Sequence, residues 1–330
     1  MTTYETEAAL VLDALQKACR LTQSVRAALV TEDTFSKKDK SPVTVADYGA
    51  QAVISHMLAQ AFPGDPLIAE EDAHDLKQPD QHELLAKVCE HVSLIDPSLN
   101  QDTIVAAIDR GDDAGGRGRF WTMDPIDGTK GFIRGDQYAV ALALIVDGEV
   151  VLGALGCPNL PQGRVSDTDD VGVIYVARKG QGCEAFSLNG DALGPIHVSD
   201  ETEPSQTALC ESVESGHTAH GRSGRIASTL GIQIDPVRLD SQCKYAVVAR
   251  GEAGTYMRLS GSRGYVEKIW DHAAGLCVVV EAGGRVSDTN GVALDFTRGS
   301  TLTENVGVVA SNGRVHDAVI DAIAQVAQAD

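Results

Sequence analysis

Positive charge is scarce in this chain of 330 residues: 27 Lys and Arg stand against 47 Asp and Glu, a formal charge of −20. Nucleic-acid polymers are held by basic side chains that displace counterions, so this balance argues against a polymer partner. It leaves room for a small anionic substrate, because bound metal ions would invert the local charge. Long apolar runs are missing as well. None approaches the ~20 residues a transmembrane helix requires, and no membrane partner is expected. The seven cysteines (19, 89, 157, 183, 210, 243 and 277) form no Cys-x-x-Cys pair and no zinc spacing. They are read as reduced thiols in a cytosol-like compartment. The nine histidines include no His-Glu-x-x-His. At the N-terminus there is no basic start followed by an apolar block, so a secretory signal is not expected and a cytoplasmic location is. An organelle stays open, since a transit peptide could have been removed from a longer precursor.

What is present is ordinary globular material: 43% of the residues are hydrophobic. Beyond roughly 250 residues a core tends to divide, so two domains are expected. Residues 1–28 carry Leu10, Ala14, Leu15, Ala18, Leu21 and Val25 at helical spacing. Two β-prone runs, Tyr138–Val146 and Glu149–Leu155, meet at Asp147-Gly148, a hairpin signal. Cys157-Pro158-Asn159 and the polar stretch 161–170 suggest an inter-domain boundary, with an α+β domain over 1–157 and an α/β domain over 158–330. In the second half, β-prone runs alternate with helical ones, which favours sheets covered by helices.

The most informative stretch is 120–136, Phe-Trp-Thr-Met-Asp-Pro-Ile-Asp-Gly-Thr-Lys-Gly-Phe-Ile-Arg-Gly-Asp. A β-branched and aromatic approach delivers Asp124 and Asp127 to a strand end, and Gly128-Thr129 turns the chain toward a short helix. Two carboxylates so close repel unless a cation lies between them. Hard oxygen ligands suit Mg²⁺, which leaves coordination positions for water and substrate phosphate. Free amides at a helix start favour a phosphate oxygen. Together these features suggest a metal-assisted phosphatase. Further acids stand in similar settings. Glu70 follows the apolar run 66–69. Asp271 fits an N-cap ahead of an apolar helix at 276–282. Asp47 is expected to open a helix running to about Ala61.

Ala-Glu-Glu-Asp at 69–72, Asp-Pro-Ile-Asp-Gly-Thr at 124–129 and Trp-Asp-His-Ala-Ala-Gly at 270–275 resemble the lithium-sensitive, magnesium-dependent phosphatase superfamily that includes inositol monophosphatases and fructose bisphosphatases. Within it, Lys-x-Asp-x-Ser-Pro-Val-Thr at 37–44, Gly-Phe-Ile-Arg-Gly-Asp-Gln-Tyr at 131–138, Glu-Ser-Gly-His at 214–217 and Leu-Asp-Ser-Gln-x-Lys-Tyr at 239–245 look like the 3′(2′),5′-bisphosphate nucleotidases. The resemblance covers nearly the whole chain. It implies a two-domain sugar-phosphatase fold layered α-β-α-β-α, with the site between domains. It implies two or three Mg²⁺ ions held by Glu70, Asp124, the Ile126 carbonyl, Asp127 and Asp271. Asp47 and Thr129 would deprotonate the attacking water, which the cation acidifies. Gly128, Thr129, His217, Ser241, Lys244, Arg258 and Asp271 would contact the substrate.

Such a substrate carries a second phosphate that does not react, and this needs its own anion site. A helix starting at Ser241 would place Ser241 and Lys244 on one face, and Arg258 could add a forked contact. The reaction implied is hydrolysis of adenosine 3′,5′-bisphosphate to AMP and phosphate, with the 5′-phosphosulfate precursor as a second substrate and the protein acting as a monomer. The alternatives are an inositol phosphate phosphatase with the same metals, or a non-catalytic sensor of metal or nucleotide.

Overall fold

Strict alternation of small and large apolar residues in 139–144 decides how this molecule is layered. The computed structural model describes residues 3–31, 41–213, 220–259 and 265–329. Two long helices, α1 (Glu5–Thr31) and α2 (Ser41–Ala61), precede a short strand, β1 (Leu67–Ala69), and two further helices, α3 (His82–Ile95) and α4 (Gln101–Asp109). Then come β2 (Arg119–Asp127), the short helix α5 (Thr129–Arg134), β3 (Ala139–Val146), β4 (Glu149–Pro161), β5 (Val171–Arg178), β6 (Gly182–Ser187) and β7 (Ala192–Ile196). The seven strands form one sheet in chain order, with β1 parallel to β2 and every other pair antiparallel. The expected hairpin joins β3 to β4, and Asp147 (φ 51°) and Gly148 (φ 83°) supply its two left-handed residues.

On β3, Val140, Leu142 and Leu144 pack with Leu15 and Ala18 of α1 and Ile54 of α2. Ala139, Ala141 and Ala143 face the other way, toward the middle of the molecule. There lie α7 (Cys243–Ala249) and α8 (Ala273–Glu281). Small residues let α8 press against the sheet: a Cβ on Gly153 would stand 2.5 Å from Cys277 Cβ and 2.7 Å from the Ala274 carbonyl.

A second sheet closes the central helices from beyond. Its strands are β8 (Leu209–Glu211), β9 (Val237–Arg238), β10 (Thr255–Arg258), β11 (Arg285–Ser287) and β12 (Val308–Ser311), in the order β11-β12-β10-β8-β9. Period-two alternation again sorts the faces. Cys210, Tyr256 and Val308 join the central core. Leu209, Met257 and Val309 meet Ile226 of α6 (His220–Thr229) and Val319 and Ile323 of α9 (His316–Gln328). The five layers α-β-α-β-α are the ones the sequence resemblance implies.

Two expectations change. The division at 157/158 falls inside β4, and β5 to β7 extend the same sheet to Ile196. Pro158 reads as a break, but the register shift between Cys157 and Pro161 absorbs it within the strand. The change of sheet comes between 197 and 208. Asp47 does not open α2: the helix begins at Ser41, leaving Asp47 buried in its second turn. Among the described residues no helix is long and apolar enough to cross a membrane.

Candidate active site

Asp124 and Asp127 are three residues apart, so a regular strand would point them to opposite faces of the sheet. The structure removes that conflict with a bulge. Asp124 pairs with Ala141 and Asp127 with Ala139, so three steps on β2 match two on β3. Pro125, which has no N–H to offer the ladder, sits within the irregularity. The Ile126 N–H donates to Asp124 Oδ1 at 3.0 Å and ties the bulge together. Glu70 follows β1, and its amide donates to the Met123 carbonyl at 3.2 Å. Beyond Asp127 the chain turns through Gly128 at φ 91°. A Cβ there would lie 2.8 Å from Ser241 Cβ, so this turn needs glycine for both conformation and space.

These groups line a cleft of about 430 Å³. Glu70, Asp124, Ile126, Asp127, Gly128 and Thr129 come from the first sheet and α5, and Ser241, Lys244, Arg258 and Asp271 from the second half of the chain. Asp47 does not line it. It lies behind, where burial first and then the charges of Glu71 and Glu70 raise its carboxyl well above the ordinary value. His217 and the motif 214–217 lie outside the described residues, as do residues 37–40 of the other motif.

Asp124 is buried, and its carboxyl is raised well above the ordinary value, by desolvation first and then by Glu70, Asp127 and Asp271. Burial likewise raises Asp271 to about 6, against the opposing charges of Arg258 and His272. Glu70 is raised to about 7 by packing of protein around it, although solvent reaches it across the cleft mouth and screens the effect. The strongest charges acting on Asp124 are thus other carboxylates. An all-oxygen, multiply negative donor set with mutually raised protonation fits a hard divalent cation such as Mg²⁺.

Glu267, Asp271 and His272 also bring ligand atoms within 4.8 Å of one another, but this group is neutralised from inside. Glu267 Oε2 accepts from Arg258 Nε at 2.9 Å and lies 3.0 Å from His272 Nε2. The Tyr245 hydroxyl lies 2.7 Å from His272 Nδ1. Arg258 Nη2 reaches Asp271 Oδ2 at 3.4 Å and the Tyr265 hydroxyl at 3.3 Å, so its fork already holds side chains of the chain itself. Asp271 is not the N-cap it was expected to be. It ends a 3₁₀ turn, His272 occupies the cap position of α8, and no side chain caps that helix.

Across the cleft, Ser241 and Lys244 meet without the helix expected from Ser241. Ser241 is left-handed at φ 68°, and α7 begins two residues later. A tight turn brings them together, with Lys244 N donating to the Ser241 carbonyl at 3.2 Å and Nζ at 2.8 Å. Lys244 is no surface charge. It is buried, with Nζ 5.2 Å from the Tyr256 ring centre, and desolvation draws it below its ordinary value against the pull of Asp127. Arg134, from 131–138, explains part of that motif: it pairs with Asp136 at 2.7 Å and also with buried Asp240, bracing α5 against the residue before Ser241. Glu267 and Gln242 escaped the sequence reading. Gln242 sits inside the motif 239–245 but carries no charge to draw notice.

The profile of the Inositol monophosphatase family matches residues 2–328. A 3′(2′),5′-bisphosphate nucleotidase of Schizosaccharomyces pombe is 42% identical over 343 residues, spanning 99% of this chain and 97% of that protein. One from Oryza sativa is 42% identical, spanning 97% of this chain and 94% of its own length. Among solved structures, an inositol monophosphatase from Anabaena has a TM-score of 0.64 at 20% identity, with 98% of this chain and 97% of that one covered. The Thermotoga maritima enzyme gives 0.64 at 21%, covering 98% of each chain. At such identities these structures speak to the fold, which is shared along its length. A matching profile over nearly every residue, and relatives alike from end to end, make this chain a member of the inositol monophosphatase family.

Proposed function

We propose that the chain hydrolyses the 3′-phosphate of adenosine 3′,5′-bisphosphate to AMP and inorganic phosphate, with Mg²⁺ held by Glu70, Asp124, the Ile126 carbonyl, Asp127 and Asp271. The observation that carries this reading is a single cleft joining mutually repelling acids to a buried lysine. A substrate with two phosphates matches that division, one reacting at the acids and one held at Lys244 and Ser241. The likeness to proteins named for this activity supports it. The precursor 3′-phosphoadenosine 5′-phosphosulfate is a second substrate on the same grounds, since its unreactive end is also an anion. Cys89 is part-exposed and the other six cysteines are free and buried, which suits a reducing, cytoplasmic setting.

Mg²⁺, when bound, supplies Lewis-acid stabilisation of the phosphoryl oxygens and lowers the pKa of water. The chain supplies the remainder. Asp47, whose carboxyl burial raises above its ordinary value and so makes a stronger base behind the cleft wall, is assigned with Thr129 to hydrogen-bond and help deprotonate the attacking water. The new O–P bond forms as the P–O3′ bond breaks, and the departing O3′ takes a proton from solvent water to become the ribose hydroxyl. Gly128 and Thr129 present backbone to the phosphate where α5 begins. Lys244 fixes the unreactive phosphate, and Arg258 keeps Asp271 oriented. Phosphate release from adenosine 3′,5′-bisphosphate, inositol monophosphate and inositol 1,4-bisphosphate, with and without Mg²⁺ on one preparation, tests the reading. The nucleotide should be the best substrate, and Mg²⁺ should be required. Preference for an inositol phosphate, or turnover without metal, would contradict it.

A further inference from the structure

Gln242 is 1% exposed and touches three parts of the site at once. Its backbone N–H donates to Asp127 Oδ2 at 2.5 Å. Its side-chain Nε2 donates to the Trp270 carbonyl at 2.9 Å, and Oε1 accepts the Gly275 N–H at 3.0 Å. Asp271 lies between those two anchor points. An amide is suited to this place because one end donates while the other accepts, with no charge to add to the acids nearby. The segment it grips has little room to move, since a Cβ on Gly275 would stand 2.3 Å from the Tyr245 ring. Asp127 arrives on β2 and Asp271 ahead of α8, and like charges on separate elements drift apart unless something ties them. Ser241 and Lys244 flank Gln242, so the same tie reaches the wall opposite the acids.

We propose that Gln242 is a positioning residue that sets the separation of Asp127 and Asp271 and thereby the affinity of the acid cluster for Mg²⁺. The inference rests on reading that cluster as a cation site and is independent of which phosphate ester reacts. Contacts that orient metal ligands are worth about 10–100-fold in affinity. Gln242→Met keeps the volume and removes both polar anchors, leaving the Trp270 carbonyl and the Gly275 N–H without their partner.

The test is calorimetric titration of Mg²⁺ into the nucleotide-free protein, with melting curves to establish that each variant is folded. The Mg²⁺ Kd of Gln242→Met should rise by about 10–100-fold. The Mg²⁺ concentration for half-maximal phosphate release should rise in parallel, while kcat at saturating Mg²⁺ largely recovers. A lower Tm with unchanged Mg²⁺ affinity would make Gln242 a mere strut and overturn the proposal. Should Gln242→Met not fold, Gln242→Asn carries the test, because it keeps the amide but is one methylene too short for both anchors. Its Kd should move the same way by less, and an unmoved Kd overturns the proposal equally. Wild-type Mg²⁺ binding without hydrolysis of the nucleotide would end the proposed function and leave Gln242 standing. Absence of Mg²⁺ binding by the wild type would end both.

Discussion

Two groups of acids meet in one cleft, and Asp271 belongs to both. Around Glu267 the negative charge is answered by Arg258 and His272 within hydrogen-bond distance. Burial pushes Glu267 up, yet those partners hold it below its ordinary value. Around Asp124 the strongest influences are more carboxylates, and its carboxyl is held well above the ordinary value. Both acids are buried, so burial alone does not distinguish a salt-bridged support from a cation site. The direction in which neighbours push does. One group is neutralised within the chain, while the other leaves its charge to the cation proposed for it.

The largest effect should come from Asp124→Asn. A cation contributing several kcal/mol to transition-state charge corresponds to about a thousandfold in rate, so turnover should fall by that order. In chelator, the same variant should be at least as stable as wild type, because a repelling charge is gone. Glu267→Gln should do the opposite. Removing one partner of a buried pair costs about 3–5 kcal/mol, and denaturant unfolding in chelator should show it. Equal destabilisation by the two variants would erase the contrast between the groups.

Lys244→Ala sharpens the comparison from the far wall. Truncating a desolvated charge contact to phosphate costs about 2 kcal/mol or more, roughly thirtyfold in KM for adenosine 3′,5′-bisphosphate. KM for 3′-AMP should scarcely move, since it lacks the second phosphate. Equal losses on both substrates would mean that Lys244, with Nζ on the Ser241 carbonyl, supports the fold instead. Asp47→Asn should lower kcat by about a hundredfold, the low end of a general base's contribution, while substrate affinity, measured by titration, is retained. Loss of affinity with normal turnover of the bound complex would remove Asp47 from proton transfer.

Much of the fold was legible because local chemistry and tertiary pairing agreed. Asp147-Gly148 made the hairpin readable, and the apolar β-prone runs at β5, β8, β10 and β12 matched strands that lie between helix layers. Where local and tertiary signals diverged, the reading failed. Pro158 looks like a boundary yet lies within β4, and β7 contains Gly194 and Pro195, residues an edge strand tolerates but a sequence pattern reads as loop. α4 was readable and missed: Asn100 caps it, accepting the Thr103 amide at 3.0 Å. In the site, the acids were visible as residue types at strand ends. The bulge that turns Asp124 and Asp127 into one cavity was not, because it depends on register with β3. Nor was the pairing of Arg258 with Glu267, nine residues along, which only the fold brings together.

Melting with and without Mg²⁺ at two pH values tests the central claim most directly. Asp271 is raised to about 6 and Asp124 well above its ordinary value, so the folded chain holds protons there that the unfolded chain releases near pH 4. Their contribution to stability is therefore lost as pH rises through the folded values. His316, lowered to about 4, works in the opposite sense, adding stability between its folded value and about 6.5. The difference between Mg²⁺ and chelator at each pH cancels it, since the cation does not act there. Mg²⁺ must displace the site's protons to bind. The account predicts a rise in Tm with Mg²⁺ that is small at a pH of about 5 and larger at about 8. A Tm indifferent to Mg²⁺ at both, or raised equally at both, would contradict it.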